Sequence, residues 1–184
     1  MNVYPIEAGN FKLDGGAMFG VVPKSLWTKT NPADADNMIE MSSRCMLVEN
    51  SDKLILVDTG MGDKQSEKFF KYYKRWGSDN LVKSINSAGF SIDDVTDVLL
   101  THLHFDHCGG AVAWDSSKEA YDVLFKNANY WSNEKHWDWA TNPNPREKAS
   151  FLDENLFPIK ESGQLKFISN MSKGFNYCEE LGLE

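Results

Sequence analysis

Three of the four histidines in this chain fall inside six residues, His102-Leu103-His104-Phe105-Asp106-His107, with an aspartate among them. The run just before, Val98-Leu99-Leu100, is apolar and β-prone. A chain with this pattern needs a fold in which a strand delivers a polar loop at its C-terminal end. In an extended segment residues two apart point to the same side, so His102 and His104 can converge on one ion. The chain then turns, and Asp106 and His107 offer a carboxylate and an imidazole to a second point nearby. Gly109 and Gly110 let the backbone pass close to that point. Such donors suit Zn²⁺, and also Mn²⁺, Fe²⁺ or Co²⁺. Two ions a few ångströms apart can share a bridging hydroxide, a nucleophile available at neutral pH. A satisfied structural role suits a lone histidine better than this cluster.

The flanking sequence supplies the strand that such a loop requires. Leu54 to Val57 is apolar throughout, as in a strand covered on both faces, and it ends in the turn Asp58-Thr59-Gly60-Met61-Gly62. Arg44 to Glu49 precedes it across the polar Asn50-Ser51-Asp52, which predicts a hairpin. Lys64 to Trp76 has helical spacing, and Leu81, Ile85 and Ala88 continue it in a second helix, with Gly89 beyond its end. Strand, helix, strand implies a crossover into the motif strand, Asp97 to Thr101. Upstream, the segment through Phe11 reads as an extended edge, Asp14 to Gly20 as a tight irregular loop, and Lys29 to Asn37 as exposed loop. Downstream, Tyr121 to Phe125 and Ala128 to Trp131 read as short strands around a Lys126-Asn127 turn. Ser132 reads as the N-cap of a helix through Ala140. Asn144, Pro145 and Glu147 read as the start of a helix to about Leu156. Leu165 to Ile168 is a last strand, and Phe175 to Leu181 a last helix. No repeat or linker divides the chain, so residues 1–184 are expected to form one domain of α/β (α+β) class.

The formal charge of −8 and pI near 5.0 match neither a phosphate backbone nor an anionic membrane, which leaves a small-molecule substrate as the expected partner. Cys45, Cys108 and Cys178 are odd in number and scattered, so no disulfide framework is read from them. With no basic-then-apolar start and no spanning run, a cytoplasmic location is expected.

His102-x-His104-x-Asp106-His107 resembles the signature of the metallo-β-lactamase superfamily, and Leu54-Ile55-Leu56-Val57-Asp58-Thr59-Gly60 resembles the strand and turn that precede it there. The segment from Asp14 to Lys24 resembles the branch that contains N-acyl homoserine lactone lactonases and methyl parathion hydrolase. The resemblance implies a four-layer αββα sandwich, of which this chain supplies the first half plus the start of the second. It implies two zinc ions. His102 and His104 would hold the first, Asp106 and His107 would serve the second, and Asp106 would handle a proton of the reacting species. Asp58 would orient a ligand histidine by accepting its ring N–H; a plain strand-end turn is the other reading. The resemblance also calls for a third histidine, a bridging aspartate and a last histidine, all of which would follow Glu184. The chain thus reads as the N-terminal portion of a longer protein.

The implied activity is hydrolysis of an ester-like bond, most naturally a lactone, with a phosphotriester as the alternative substrate. Two other classes stay open: redox, sulfur or RNA-processing chemistry on the same motif, and a non-catalytic fragment. Phe19, Met18 and Trp27 flank the first glycine loop and read equally as a substrate pocket or as core. His136 matches no ligand motif and reads as a solvated or packing residue, and Cys108 as a small buried thiol. Trp131, Trp137 and Trp139 could cover the site, serve a homodimer contact, or be core.

Overall fold

The computed structural model describes residues 1–168 and 181–182. The chain opens on β1 (Asn2–Asp14), followed by α1 (Gly15–Phe19), α2 (Lys24–Trp27) and β2 (Met38–Asn50). β1 and β2 pair antiparallel from Asn2 opposite Glu49 to Asp14 opposite Met38. β3 (Lys53–Val57) returns along β2 through a tight turn at Ser51-Asp52, so the expected hairpin is present. Asp14 to Gly20 is not irregular as expected. The Asp14 carboxylate accepts the Ala17 N–H at 2.7 Å and nucleates the short helix α1.

α3 (Glu67–Tyr72) and α4 (Leu81–Ser87) carry the chain from β3 to β4 (Asp97–Leu99). β4 lies parallel to β3, with Val98 opposite Leu56, as the crossover requires. Ser66 caps α3 by accepting the Phe69 N–H, which starts that helix later than the spacing predicts. Then come α5 (Phe105–Cys108), β5 (Val112–Trp114), β6 (Tyr121–Val123), β7 (Asn129–Ser132), α6 (Glu134–Thr141), α7 (Asp153–Glu161) and β8 (Leu165–Phe167). The main sheet runs β1-β2-β3-β4-β7-β8, and β5 with β6 forms a separate two-stranded sheet.

The strands on either side of Lys126-Asn127 do not pair with each other. Leu124 N–H bonds to Ala111 and extends the small sheet, while Asn129 N–H bonds to Thr96 and starts β7 along β4. Asn133, not Ser132, caps α6, accepting the His136 N–H at 3.1 Å. Asn144 does accept from the N–H groups of Arg146 and Glu147, but only a turn and a short 3₁₀ segment follow. The helix itself begins at Asp153 and carries Pro158 inside it. The last expected helix, from Phe175, lies outside the described residues apart from Leu181.

β3 is buried on both faces: Leu54 and Leu56 join the main core with Leu47, Ile85, Val98 and Tyr130, and Ile55 joins Val48 and Leu181 on the other side. Burial of each such aliphatic chain stabilises the fold by about 1.5–3 kcal/mol. This makes the C-terminal ends of β3 and β4 a rigid platform, and both ends open into polar turns.

Candidate metal centre

Two turns meet at that edge: Asp58 to Gly62 after β3, and Thr101 to Gly110 after β4. Backbone bonds join them directly. Thr59 donates both its N–H and its hydroxyl to the His107 carbonyl, at 2.8 and 2.9 Å. The Gly110 N–H donates to the Gly60 carbonyl at 2.9 Å. The approach is so close that a Cβ on Gly109 would stand 2.2 Å from the Met61 carbonyl oxygen, and one on Gly110 would stand 2.2 Å from that of Thr59. Here the glycines are required by contact with backbone that cannot move aside.

Asp58 is the polar hub. Its backbone is left-handed, at φ 59°, a conformation aspartate tolerates better than most residues. Its Oδ1 accepts the Thr101 N–H at 2.9 Å, and the Thr101 hydroxyl lies 2.9–3.0 Å from both carboxylate oxygens. Its Oδ2 lies 2.8 Å from His107 Nδ1. Burial alone would lower the His107 pKa, but the bond to Asp58 and the charge of Asp106 outweigh it and raise it. With Nδ1–H donated to Asp58, the neutral ring keeps a free lone pair on Nε2, which faces Asp106 Oδ2 at 3.6 Å.

The other motif rings gather on the same spot. The His102 centroid is 3.9 Å from that of His107 and 4.7 Å from that of His104. Burial, with His107 and His104 adding to it, holds the His102 pKa down at about 4. Imidazoles and a carboxylate are the donor chemistry a first-row divalent cation takes, and Asp58 fixes the tautomer of one of them. The donors fit such an ion in kind but as a partial set. Among the described residues no three His, Cys, Asp or Glu side chains close around a single point.

A cavity of about 120 Å³ opens at this spot, lined by Phe11, Met41, Ser43, Cys45, Asp58, Asp106 and His107 among others. A larger one of about 310 Å³ adjoins it through shared Phe11 and Ser43 and holds none of the motif residues. The expected pocket residues lie elsewhere. Trp27 is buried against Gly15 and Ile39, Phe19 stacks on it at 5.0 Å, and Met18 is half-exposed. None of the three lines either cavity. Phe105, just before Asp106, is buried with Phe11 and Met61, and Phe69, Phe70, Tyr73 and Leu152 pack on that group, giving the site one apolar wall.

Three contacts escaped the sequence reading. The Thr101 backbone and hydroxyl bind Asp58, as described above. Lys64 is buried, and its ammonium donates to the Gly109 carbonyl while burial pulls its pKa down to about 8. His136 accepts the Leu103 N–H on its Nε2 at 3.0 Å. Neither Lys64, two residues after a glycine turn, nor His136, on an aromatic helix, carries a sequence signal that names its partner.

Residues 39–167, well over half of the chain, match the family model described as the metallo-beta-lactamase superfamily. An N-acyl homoserine lactonase of Bacillus cereus is 28% identical over 104 residues, which are 51% of this chain and 40% of that protein. A probable metal-dependent hydrolase from Staphylococcus aureus superposes with a TM-score of 0.82 at 29% identity, covering 92% of this chain and 59% of that one. AidC, a dizinc quorum-quenching lactonase in complex with a product, superposes with a TM-score of 0.66 at 26% identity, covering 94% and 59%. The chain therefore spans less than two thirds of each of these proteins.

Proposed function

The chain belongs to the metallo-beta-lactamase superfamily, and on that premise we propose that it is the metal-binding portion of a zinc-dependent hydrolase that opens an ester-like bond, most naturally a lactone. The observation that carries this reading is the meeting of His102, His104, Asp106 and His107 at the C-terminal edge of β3 and β4, with His107 oriented by Asp58. The relatives named as lactonases support the choice of substrate.

In this reading His102 and His104 hold one ion, and Asp106 and His107 contribute to a second. When bound, such an ion supplies Lewis acidity and water that ionises near neutral pH. The remaining steps fall to the chain. Asp58 keeps the Nδ1 proton of His107 in place, so that the lone pair on Nε2 stays free for a metal ion. Asp106 Oδ2, at the start of α5 and partly shielded from solvent, takes the proton of the reacting species and returns it to the leaving alcohol. Phe105 and its apolar cluster keep bulk water from that side.

A second reading, that this chain binds metal without turning over, is favoured by the partial donor set. Elemental analysis of the purified 184-residue chain after zinc loading, with a lactone-opening assay on the same sample, separates the two. Zinc uptake with lactone opening that His102→Ala and His104→Ala abolish supports the hydrolase. Uptake without opening supports the binding role. No uptake defeats both, and opening of a phosphotriester but no lactone would replace the substrate class.

A further inference from the structure

Leu103 separates the two histidines of the first pair, and it is held at three points. Its side chain is fully buried in the main core. Its carbonyl accepts the Cys108 thiol at 3.3 Å. Its N–H donates to His136 Nε2 at 3.0 Å. Residues two apart in an extended segment share a side, so fixing the middle residue from beneath aims His102 and His104 together. His136 comes from α6, far away in sequence, and is itself fixed. Its N–H is bound by the Asn133 cap, and its ring lies edge-on to Phe151 at 5.9 Å. Phe151 also packs against His104 at 4.9 Å.

We infer that His136 is a positioning residue for the metal loop, its ring nitrogen serving as the hydrogen-bond acceptor that locks Leu103 and so aligns His102 with His104. The inference rests on the metal-binding reading above. It assigns His136 no contact with metal or substrate. An acceptor at this point needs Nε2 unprotonated, and burial, with His104 adding to it, lowers the ring's pKa. A buried N–H left without a partner is costly, so removing the acceptor releases the loop at the residue between the two ligands.

Two variants separate this role from mere packing. His136→Phe keeps an aromatic ring against Phe151 and removes the acceptor. His136→Gln offers a carbonyl oxygen in place of the ring nitrogen. Zinc affinity is read by competition with a chromogenic chelator, the visible spectrum of the Co²⁺-loaded chain reports ligand geometry, and hydrogen exchange reports the Leu103 amide. We expect His136→Phe to lose about 10- to 100-fold in zinc affinity, the range typical of groups that support metal ligands. It should also shift the Co²⁺ spectrum and expose the Leu103 amide to exchange. His136→Gln should restore all three. Wild-type affinity, spectrum and amide protection in a folded His136→Phe chain would overturn the inference. If His136→Phe does not fold, a folded His136→Gln that loses both affinity and protection would overturn it, and retention of both would support it. A wild-type chain that takes up no metal would overturn the metal-binding reading as well, which keeps the two failures apart.

Discussion

Two glycine-bearing segments of this chain are built in opposite ways. The turns at Asp58 to Gly62 and Thr101 to Gly110 are joined backbone to backbone, and Gly62, Gly109 and Gly110 sit where a Cβ would collide with a carbonyl. The segment from Gly15 to Trp27 is joined mostly through side chains. Gly15 yields to the Trp27 ring, Gly20 faces open space, and Val21, Val22 and Leu26 are exposed. Glycine density alone does not separate the two. What the glycine makes room for does: backbone against backbone gives a rigid scaffold for the motif side chains, while backbone against a side chain gives a local pack that can adjust.

The hardest blow to this contrast pairs Gly109→Ala with Gly20→Ala. At Gly109 the new methyl meets the Met61 carbonyl, and that carbonyl cannot retreat while Thr59 holds His107. We expect a loss of about 4 kcal/mol or failure to fold, among the largest single-residue effects. At Gly20 only the backbone conformation, φ 55° and ψ −116°, is at stake, costing about 1–3 kcal/mol. Urea unfolding of both variants measures the gap, and equal costs would break the comparison.

Lys64 gives the next test, because the scaffold encloses a cation. Desolvation holds its pKa at about 8, below the ordinary 10.5, while Cys108, Glu154 and Asp63 pull it back up. Between those values the unfolded chain binds the proton that the folded chain has released. Lys64's own contribution therefore rises with pH across that window, fully gained above 10.5 and lost again as pH falls through 8, while the buried thiols of Cys45 and Cys108, pushed up from 9.0 to about 12, act in the opposite direction above pH 9. The gain is on the order of 3 kcal/mol. The difference in melting temperature between wild type and Lys64→Met, followed from pH 7.5 to 10.5, should move in favour of the wild type as pH rises, because the two thiols are common to both chains.

The sequence made the main sheet and the motif legible because both depend on local pattern: apolar runs, a crossover, and four donors at short spacing. The reading missed what depends on distant partners. Nothing around His136 announces that the N–H it receives belongs to Leu103, and nothing around Lys64 announces the Gly109 carbonyl. The helix expected after Asn144 failed for a related reason. The cap forms as predicted, but a cap starts a helix without sustaining it, and α7 instead begins where Asn155, Leu156 and Ile159 can be buried.

Asp58→Asn probes the scaffold more gently, since shape and left-handed backbone are both kept. An amide has one acceptor oxygen where the carboxylate has two. It cannot serve Thr101 and His107 as before, and one of them must face an NH₂ group. Zinc affinity should fall about 10- to 100-fold while the fold survives, and chelator competition reads the change. Retained affinity would mean that the orientation of His107 does not depend on this bond.

The smallest effect should come from the adjustable segment. Phe19→Ala removes a ring stacked 5.0 Å from Trp27, where no motif residue touches it. Losing such a stack costs about 0.5–1.5 kcal/mol of stability beyond the area exposed. Because neither cavity at the scaffold is lined by Phe19, zinc affinity should not change. The substrate is the sharper reporter. If Phe19, Met18 and Trp27 form part of a pocket, Phe19→Ala raises KM for lactone opening and leaves zinc uptake intact. If they are only a local pack, stability falls and KM holds. The exposed run from Val21 to Leu26 gives the first outcome a physical route, because a segment held mainly by side chains can move toward a bound molecule without disturbing the joined turns. The KM of this one variant therefore decides whether the adjustable segment belongs to the site or only borders it.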